Sequence, residues 1–360
     1  MLFRNEIDKK LLPLFKTKRC AILDVPTYAN VGDQLIWSGM EVFFENNKIE
    51  CVYRSSCNTF LYKELPTDVT ICLVGGGNFG DLWRRLQELR NAIIKLYPNH
   101  KIVIFPQSVY YSDMSICAND SILFAQHKDL HICARDYDSY SFLLKHFRNS
   151  ILLVPDMVLY LSFESNKKYD YKILFLKRED KEQCDYADFI KTDMVVCDWP
   201  THEKIDLNHQ KGFMKRYSFY HRMLKFTIKM SKKMDITNIY RVHFASMLHL
   251  LNDDKIPIKE RWEIVYMEIN YLLYLNRKFS GRLNEIINTL LYEYHLPLIK
   301  SYAIKFLQQY DIVYSTRLHG GILAMLLGKK VFFIDNNYGK IKSLYNTWLL
   351  NEPNVEMKGI

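Results

Sequence analysis

Short, nearly continuous apolar runs alternate over residues 19–160 with polar, glycine-bearing turns and stretches of helical spacing. The runs are "RCAILDV" (19–25), "VTICLV" (69–74), "KIVIF" (101–105), "LHICA" (130–134) and "ILLVP" (151–155). None alternates apolar with polar residues as a half-exposed strand does. Continuous runs of this length belong to strands covered on both faces of a parallel sheet, so the pattern predicts a doubly wound α/β layer. A polar stretch, "LSFESNKKYD" (161–170), interrupts it. The pattern resumes with "YKILFLKRED" (171–180) and "DMVVCDWP" (193–200), and closes with "DIVYS" (311–315), an apolar helix and "VFFID" (331–335). Residues from about 210 to 300 read as mostly helical and are rich in Tyr, Met, Lys and Arg. At 360 residues the chain suits two domains. We expect them at 1–165 and 166–360, the second carrying the helical insert, with "LYNTWLLNEPN" (344–354) packed back on the first.

Ligands of such sheets bind beyond the carboxyl ends of the strands. Those ends read "TYANVGDQ", "GGGNFGD", "PQS", "RDYDS" and "DM" in the first half. In the first loop Asp33 stands where an N-cap belongs, ahead of a helix with Leu35, Ile36, Met40 and Phe43 on one face. Gly75 to Gly80 satisfy G-x-G-x-x-G by their letters. The next strand, however, ends in Pro106-Gln107-Ser108 with no acidic residue for a ribose hydroxyl, which argues against a dinucleotide. Consecutive glycines let an anion or a sugar approach the backbone, and a tight turn without a ligand explains them equally.

Near the end of the chain, "STRLHGGILAMLLGKK" (315–330) joins a strand to an apolar helix expected to begin near Gly320. Arg317 and His319 then lie on the strand-to-helix turn, where backbone N–H groups favour an anion. An Arg fork adds bidentate recognition of phosphate or carboxylate, and an imidazole can move protons near neutral pH. Lys340 follows the next strand. The plainer reading is a helix-capping His beside a surface ion pair. An ungapped echo, "DITNIYRVHFASMLHLL" (235–251), sets Arg241 and His243 on Arg317 and His319.

Composition narrows the classes. A net charge of +9 suits an anionic partner or serves solubility alone. Eight cysteines without a C-x-x-C pair, several inside apolar runs, predict reduced buried thiols and no zinc site. The charged opening "MLFRNEIDKK" lacks the apolar stretch of a leader, and no run reaches the ~18 apolar residues of a spanning helix, so a cytoplasmic location is expected. The basic, aromatic segment 215–233 could lie on an anionic membrane face or pack in the core. No nucleic-acid motif, P-loop, G-x-S-x-G or metal-spaced cluster occurs, so neither a nucleic acid nor a metal is expected.

Taken in order, "NVGDQLIW", "LVGGGNFGDLW", "FPQS", "ARDYDS", "LFLKRED" and above all "STRLHGGILAMLLGKKVFFIDNNYGK" resemble the polysaccharide pyruvyl transferases over about residues 20–340; the insert at 210–300 does not match. The resemblance implies two Rossmann-like domains facing a crevice, as in GT-B glycosyltransferases. It also implies transfer of pyruvate from phosphoenolpyruvate, a co-substrate and not a cofactor, to a capsule, exopolysaccharide or lipid-linked sugar as a ketal, at the inner membrane face where the acceptor is lipid-linked. On that basis His319 is the expected acid/base and Arg317 its catalytic neighbour. Gly320, Gly321, Lys340, Asn337 and Arg178 form the expected donor side, and Asn30, Asp33, Gly76, Gly77, Asn78 and Gln107 the acceptor side. Two rivals stand beside this reading: a nucleotide-sugar glycosyltransferase of the same shape, with Asp335 near the site, and a non-catalytic membrane-associated partner of a polysaccharide assembly complex.

Overall fold

The run at 19–25 forms β1 (Arg19–Val25), and its neighbours on either side are β2 (Glu50–Ser56) and β3 (Thr70–Leu73). In this computed structural model, residues 2–163, 172–178, 189–202, 256–278, 281–335 and 339–358 are described, with shorter pieces at 222, 226, 237–240, 243 and 251. The first sheet continues through β4 (Gly76–Gly80), β5 (Ile102–Tyr110), β6 (Leu130–Ala134) and β7 (Ser150–Leu153). Its order is β2-β1-β3-β5-β6-β7, with β4 beside β5, and every pair is parallel. Helices α1 (Leu2–Leu11), α2 (Val31–Asn46), α3 (Arg84–Leu96), α4 (Met114–Ala125) and α5 (Tyr137–His146) accompany it.

Two details depart from the sequence reading. β5 does not stop at Phe105 but runs through Pro106 to Tyr110. Proline has no N–H for the ladder, and the β5–β6 register shifts between Ile104 and Gln107 before pairing resumes. The glycine turn is itself a short strand, β4, with Gly76 at φ +135° and Gly80 at φ +114°, angles that side-chain-bearing residues avoid.

A second parallel sheet has the order β12-β11-β10-β8-β9, built from β8 (Ile173–Leu176), β9 (Met194–Cys197), β10 (Ile312–Ser315), β11 (Lys330–Ile334) and β12 (Val355–Lys358). Within its chain span lie α6 (Ile258–Lys278), α7 (Asn284–Leu290), α8 (Leu296–Leu307), α9 (Leu318–Leu326) and α10 (Lys340–Leu344). By compactness the chain divides into Met1–Pro200 with Ala303–Ile360, which holds both sheets, and Thr201–Tyr302. The described part of the insert is helical, whereas most of 215–233 lies outside the described residues. The closing segment folds back as expected: the Trp348 indole donates to the Arg135 carbonyl at 2.7 Å, and the Tyr137 N–H donates to Thr347 Oγ1 at 3.1 Å.

Close packing explains several small residues. The core of the first sheet is apolar and aromatic, with Phe15, Phe43, Phe44 and Phe105 meeting edge-on or tilted. A Cβ on Gly39 would stand 1.9 Å from the Met157 carbonyl oxygen, so α2 lies directly on the turn after β7. Gly39→Ala must push backbone away from backbone and is expected to cost about 1–3 kcal/mol or more. A fall in the denaturant midpoint at unchanged slope checks this.

The thiols follow the expectation in part: Cys20, Cys72, Cys117 and Cys133 are buried, whereas Cys51, Cys57 and Cys197 are half-buried. Seven cysteines are free; Cys184 lies outside the described residues. Burial pushes the Cys133 thiol up to about 12 and the Cys117 thiol up to about 11. No described helix is long and apolar enough to cross a membrane, and no described group of three or more His, Cys, Asp or Glu could hold a metal.

Candidate active site

Topology sets the site. In the first sheet the chain leaves β1 for β2 on one side and for β3 on the other; in the second it leaves β8 for β9 on one side, with β10 on the other. Loops at such reversals splay apart and leave a crevice beyond the strand ends. The segments concerned are 26–33, which runs into α2, and 74–80, which includes β4, in the first sheet, and 177–178 and 316–319, which runs into α9, in the second.

His319 lies in the first turn of α9, which begins at Leu318 and not near Gly320, with Arg317 as its N-cap residue. The helix can start early because Gly320 and Gly321 press onto the sheet. A Cβ on Gly320 would stand 2.3 Å from Leu176 Cδ2, and one on Gly321 would stand 2.1 Å from the Phe333 ring. Both glycines thus have a packing task independent of any donor.

The imidazole meets a buried ion pair contributed by the first sheet. Arg135, just after β6, donates from Nη1 to Asp156 Oδ2 at 2.8 Å and from Nε to Ser108 Oγ at 2.8 Å. His319 Nε2 is 3.2 Å from that same Asp156 oxygen and 3.2 Å from Arg135 Nη1. Asp156 Oδ1 accepts the Val158 N–H at 2.9 Å. His319, Arg135 and this backbone N–H together hold the Asp156 carboxyl well below the usual carboxylate range despite its burial. Asp156 and Arg135 meet Nε2 from two sides and fix the ring's orientation, which leaves Nδ1 facing α2. There it meets Gly32: a Cβ on Gly32 would stand 2.5 Å from Nδ1.

On the same side, Asn30 and not Asp33 caps α2, its Oδ1 accepting the Gly32 N–H at 3.0 Å. Asn fits a cap because its short side chain bonds back to the first turn. This frees Asp33, inside that turn, for other contacts. Its Oδ2 accepts from Asn30 Nδ2 at 2.9 Å, and the Tyr28 hydroxyl bonds to its carboxyl. Asp33 keeps part of its surface open, yet the atoms packed around it push its carboxyl above the ordinary range, against the opposing pull of His319, Tyr28, Arg135 and Arg178.

The glycine strand completes the arrangement. A Cβ on Gly76 would stand 3.4 Å from Asp33 Oδ1; one on Gly77 would stand 3.3 Å from Arg135 Nη2 and 3.6 Å from Lys340 Nζ. A carboxylate, a guanidinium and an ammonium therefore approach two successive residues that have no side chains.

Other expected residues are committed elsewhere. Arg317 is buried and forms a two-pronged ion pair with Asp198, Nε to Oδ1 at 2.8 Å and Nη2 to Oδ2. Asn78 Oδ1 accepts from Arg90 Nη2 at 2.9 Å, and buried Gln107 donates to the Val74 carbonyl at 2.6 Å. The Arg178 N–H donates to Thr316 Oγ1 at 2.8 Å, tying together the two loops of the second reversal. Asp335 caps α10 through the Ile341 and Lys342 N–H groups. Asn337 and Arg241 lie outside the described residues. In the other unit, buried His243 stands 3.7 Å from Glu268, which also accepts from the Tyr240 hydroxyl at 3.1 Å.

Arg135 and Asp156 were not singled out in the sequence, though both stand at strand ends, in "RDYDS" and "DM". Asp24 was also missed. Its Oδ1 accepts the Val74 N–H at 2.6 Å beneath the glycine strand, and burial pushes its carboxyl up to about 6.

The EpsO protein of Bacillus subtilis strain 168, named provisionally as a pyruvyl transferase, is 28% identical over 341 residues, covering 93% of this chain and 86% of its own. Pyruvyl transferase 1 of Schizosaccharomyces pombe is 29% identical over 180 residues, 46% of this chain and 45% of its own. A functionally uncharacterised Klebsiella pneumoniae protein of known crystal structure shares the fold with a TM-score of 0.51 at 17% identity over 99% of each chain. Residues 30–338 match the profile described as Polysaccharide pyruvyl transferase. With that match running from the cap of α2 to residue 338, the chain belongs to the polysaccharide pyruvyl transferase family.

Proposed function

We propose that the protein moves pyruvate from phosphoenolpyruvate onto two hydroxyls of a sugar in a polysaccharide or its lipid-linked precursor, forming a ketal. The observation that carries this reading is the meeting of Arg135 Nη2 and Lys340 Nζ at Gly77, beside an imidazole held by Asp156. Phosphoenolpyruvate carries a phosphate and a carboxylate, and a guanidinium fork with an ammonium matches that pair of anions. Arg178 adds positive charge on the second sheet's side. Arg317, given to Asp198, serves to fix the start of α9 and so the position of His319.

In the reaction, two hydroxyl protons leave the sugar. One ends on the methylene carbon of the donor and makes it a methyl group; the other leaves with inorganic phosphate. His319 is the group placed to give the first. Lys340→Ala removes one charged hydrogen-bond donor, worth about 1.5 kcal/mol or more. The KM for phosphoenolpyruvate is accordingly expected to rise about tenfold, with kcat less affected.

The deciding assay incubates the protein with candidate glycans and either phosphoenolpyruvate or nucleotide sugars. Phosphate release with phosphoenolpyruvate, accompanied by a mass gain on the glycan equal to a pyruvate ketal, supports the reading. Release of a nucleotide would overturn it. The capping of α10 by Asp335 already occupies the carboxylate that a ribose would need.

A further inference from the structure

The geometry points to Asp33 as the second proton-carrying catalytic residue, the general base for the first sugar hydroxyl, acting opposite His319. This inference rests on the pyruvyl transfer reading and assigns a role within it. The first step of ketal formation requires a proton delivered to the donor's methylene carbon while another is taken from the attacking hydroxyl, and one imidazole cannot do both at once.

Three observations select Asp33. Its Oδ2 is held by Asn30 at 2.9 Å, and this fixes the carboxyl and leaves Oδ1 directed at the bare edge of Gly76. One residue along the same strand, Arg135 Nη2 and Lys340 Nζ reach the bare edge of Gly77. The charges of His319, Arg135 and Arg178 also act on the Asp33 carboxyl, so it shares the surroundings of a donor held there. Asp33 also follows Gly32, the residue on which His319 Nδ1 rests, so the carboxyl and the imidazole flank one short piece of chain. Other carboxylates nearby are less available: Asp156 and Asp136 are buried and Asp198 is paired with Arg317, whereas Asp33, although it accepts from Asn30 and Tyr28, keeps part of its surface open. The raised carboxyl of a partly open Asp33 fits a group that must both take and return a proton.

The steps balance as follows. The first hydroxyl oxygen attacks the central carbon of the donor, its proton passes to Asp33, and the methylene carbon takes a proton from the His319 imidazolium. The carbon–oxygen bond to phosphate then breaks, its electron pair leaving with phosphate, which takes the proton from Asp33. The second hydroxyl closes the ketal and gives its proton to His319, and both groups regain their starting states.

The test compares wild type, Asp33→Asn and Asp33→Glu in phosphoenolpyruvate-dependent pyruvyl transfer across pH. Asp33→Asn is expected to lower kcat about 10²-fold and to leave the KM for phosphoenolpyruvate within threefold. Because the base must be ionised, wild-type kcat should fall on acidification through a value above the ordinary carboxylate range, and that acid limb should be absent from the Asn variant. Asp33→Glu should restore part of kcat and keep an acid limb, at a displaced position. Should Asp33→Asn not fold, the Glu variant decides alone. An Asn variant that retains more than a tenth of wild-type kcat with an unchanged acid limb, or a Glu variant whose acid limb coincides with wild type, would overturn the assignment of Asp33 while leaving pyruvyl transfer standing. Wild type that transfers no pyruvate at all overturns the reading and this role with it.

Discussion

His319→Ala is expected to lower pyruvyl transfer about 10³-fold, within the 10²–10⁴ that one positioned proton carrier supplies, while the thermal midpoint moves by only a few degrees. The two halves of this expectation have separate causes. On the proposed reading the imidazole, held by an ionised carboxylate, protonates the donor's methylene carbon, and its removal takes that group away. The Asp156–Arg135 bond at 2.8 Å does not depend on the ring and remains, so no buried charge is left alone. The hole that remains is bounded by Gly32, Asp156 and Arg135, a shape that fits free imidazole. Added imidazole should therefore restore part of the rate, with saturation, to His319→Ala and should not restore it to Asp33→Asn. An alanine variant with wild-type turnover would remove His319 from the chemistry.

The contrast between what could be read along the chain and what could not follows from range. β1 and β6 coincide with "RCAILDV" and "LHICA" because strands buried on both faces must be apolar at every position, and that is a local property. β2, "ECVYRSS", was not anticipated: it is an edge strand, mostly part-buried and exposed at its start, with no continuous apolar run to mark it. β4 escaped notice because glycines and an asparagine carry no strand signal, and only the extension of β5 past Pro106 gives that segment a partner. His319 was legible because a strand, a helix start and an imidazole fall within a few residues of one another. The cap of α2 went to the wrong member of "NVGD", since Asn30 and Asp33 are both good caps and the choice depends on where the helix begins. Arg135 and Asp156 belong to no local pattern. Each stands at a strand end, and they reach His319, 184 and 163 residues further along the chain, only when the two sheets are brought together.

Asp156→Asn is expected to damage both stability and activity, and the pH dependence of the two effects separates it from an ordinary core substitution. Removing one partner of a buried ion pair leaves the other uncompensated, at a typical cost of about 3–5 kcal/mol. Arg135 is the partner here, almost fully buried and unable to shed its charge. Asp156 is held ionised far below the range of an unfolded carboxyl, so its contribution is complete above about pH 4 and is lost as pH falls from there toward the depressed folded value. Wild type should accordingly lose stability steeply below about pH 4, and Asp156→Asn, already without that contribution, should give a flatter curve in the same window. The double variant Asp156→Asn/Arg135→Gln removes the stranded charge and should recover part of the lost stability. Activity should not return with it, because the carboxylate that orients His319 Nε2 and the guanidinium of the proposed donor grip are both missing. Thermal unfolding from pH 2.5 to 8, paired with turnover measured well below each midpoint, reads both effects. Full activity in the stabilised double variant would show that His319 needs no carboxylate to hold it and that the donor needs no guanidinium from Arg135.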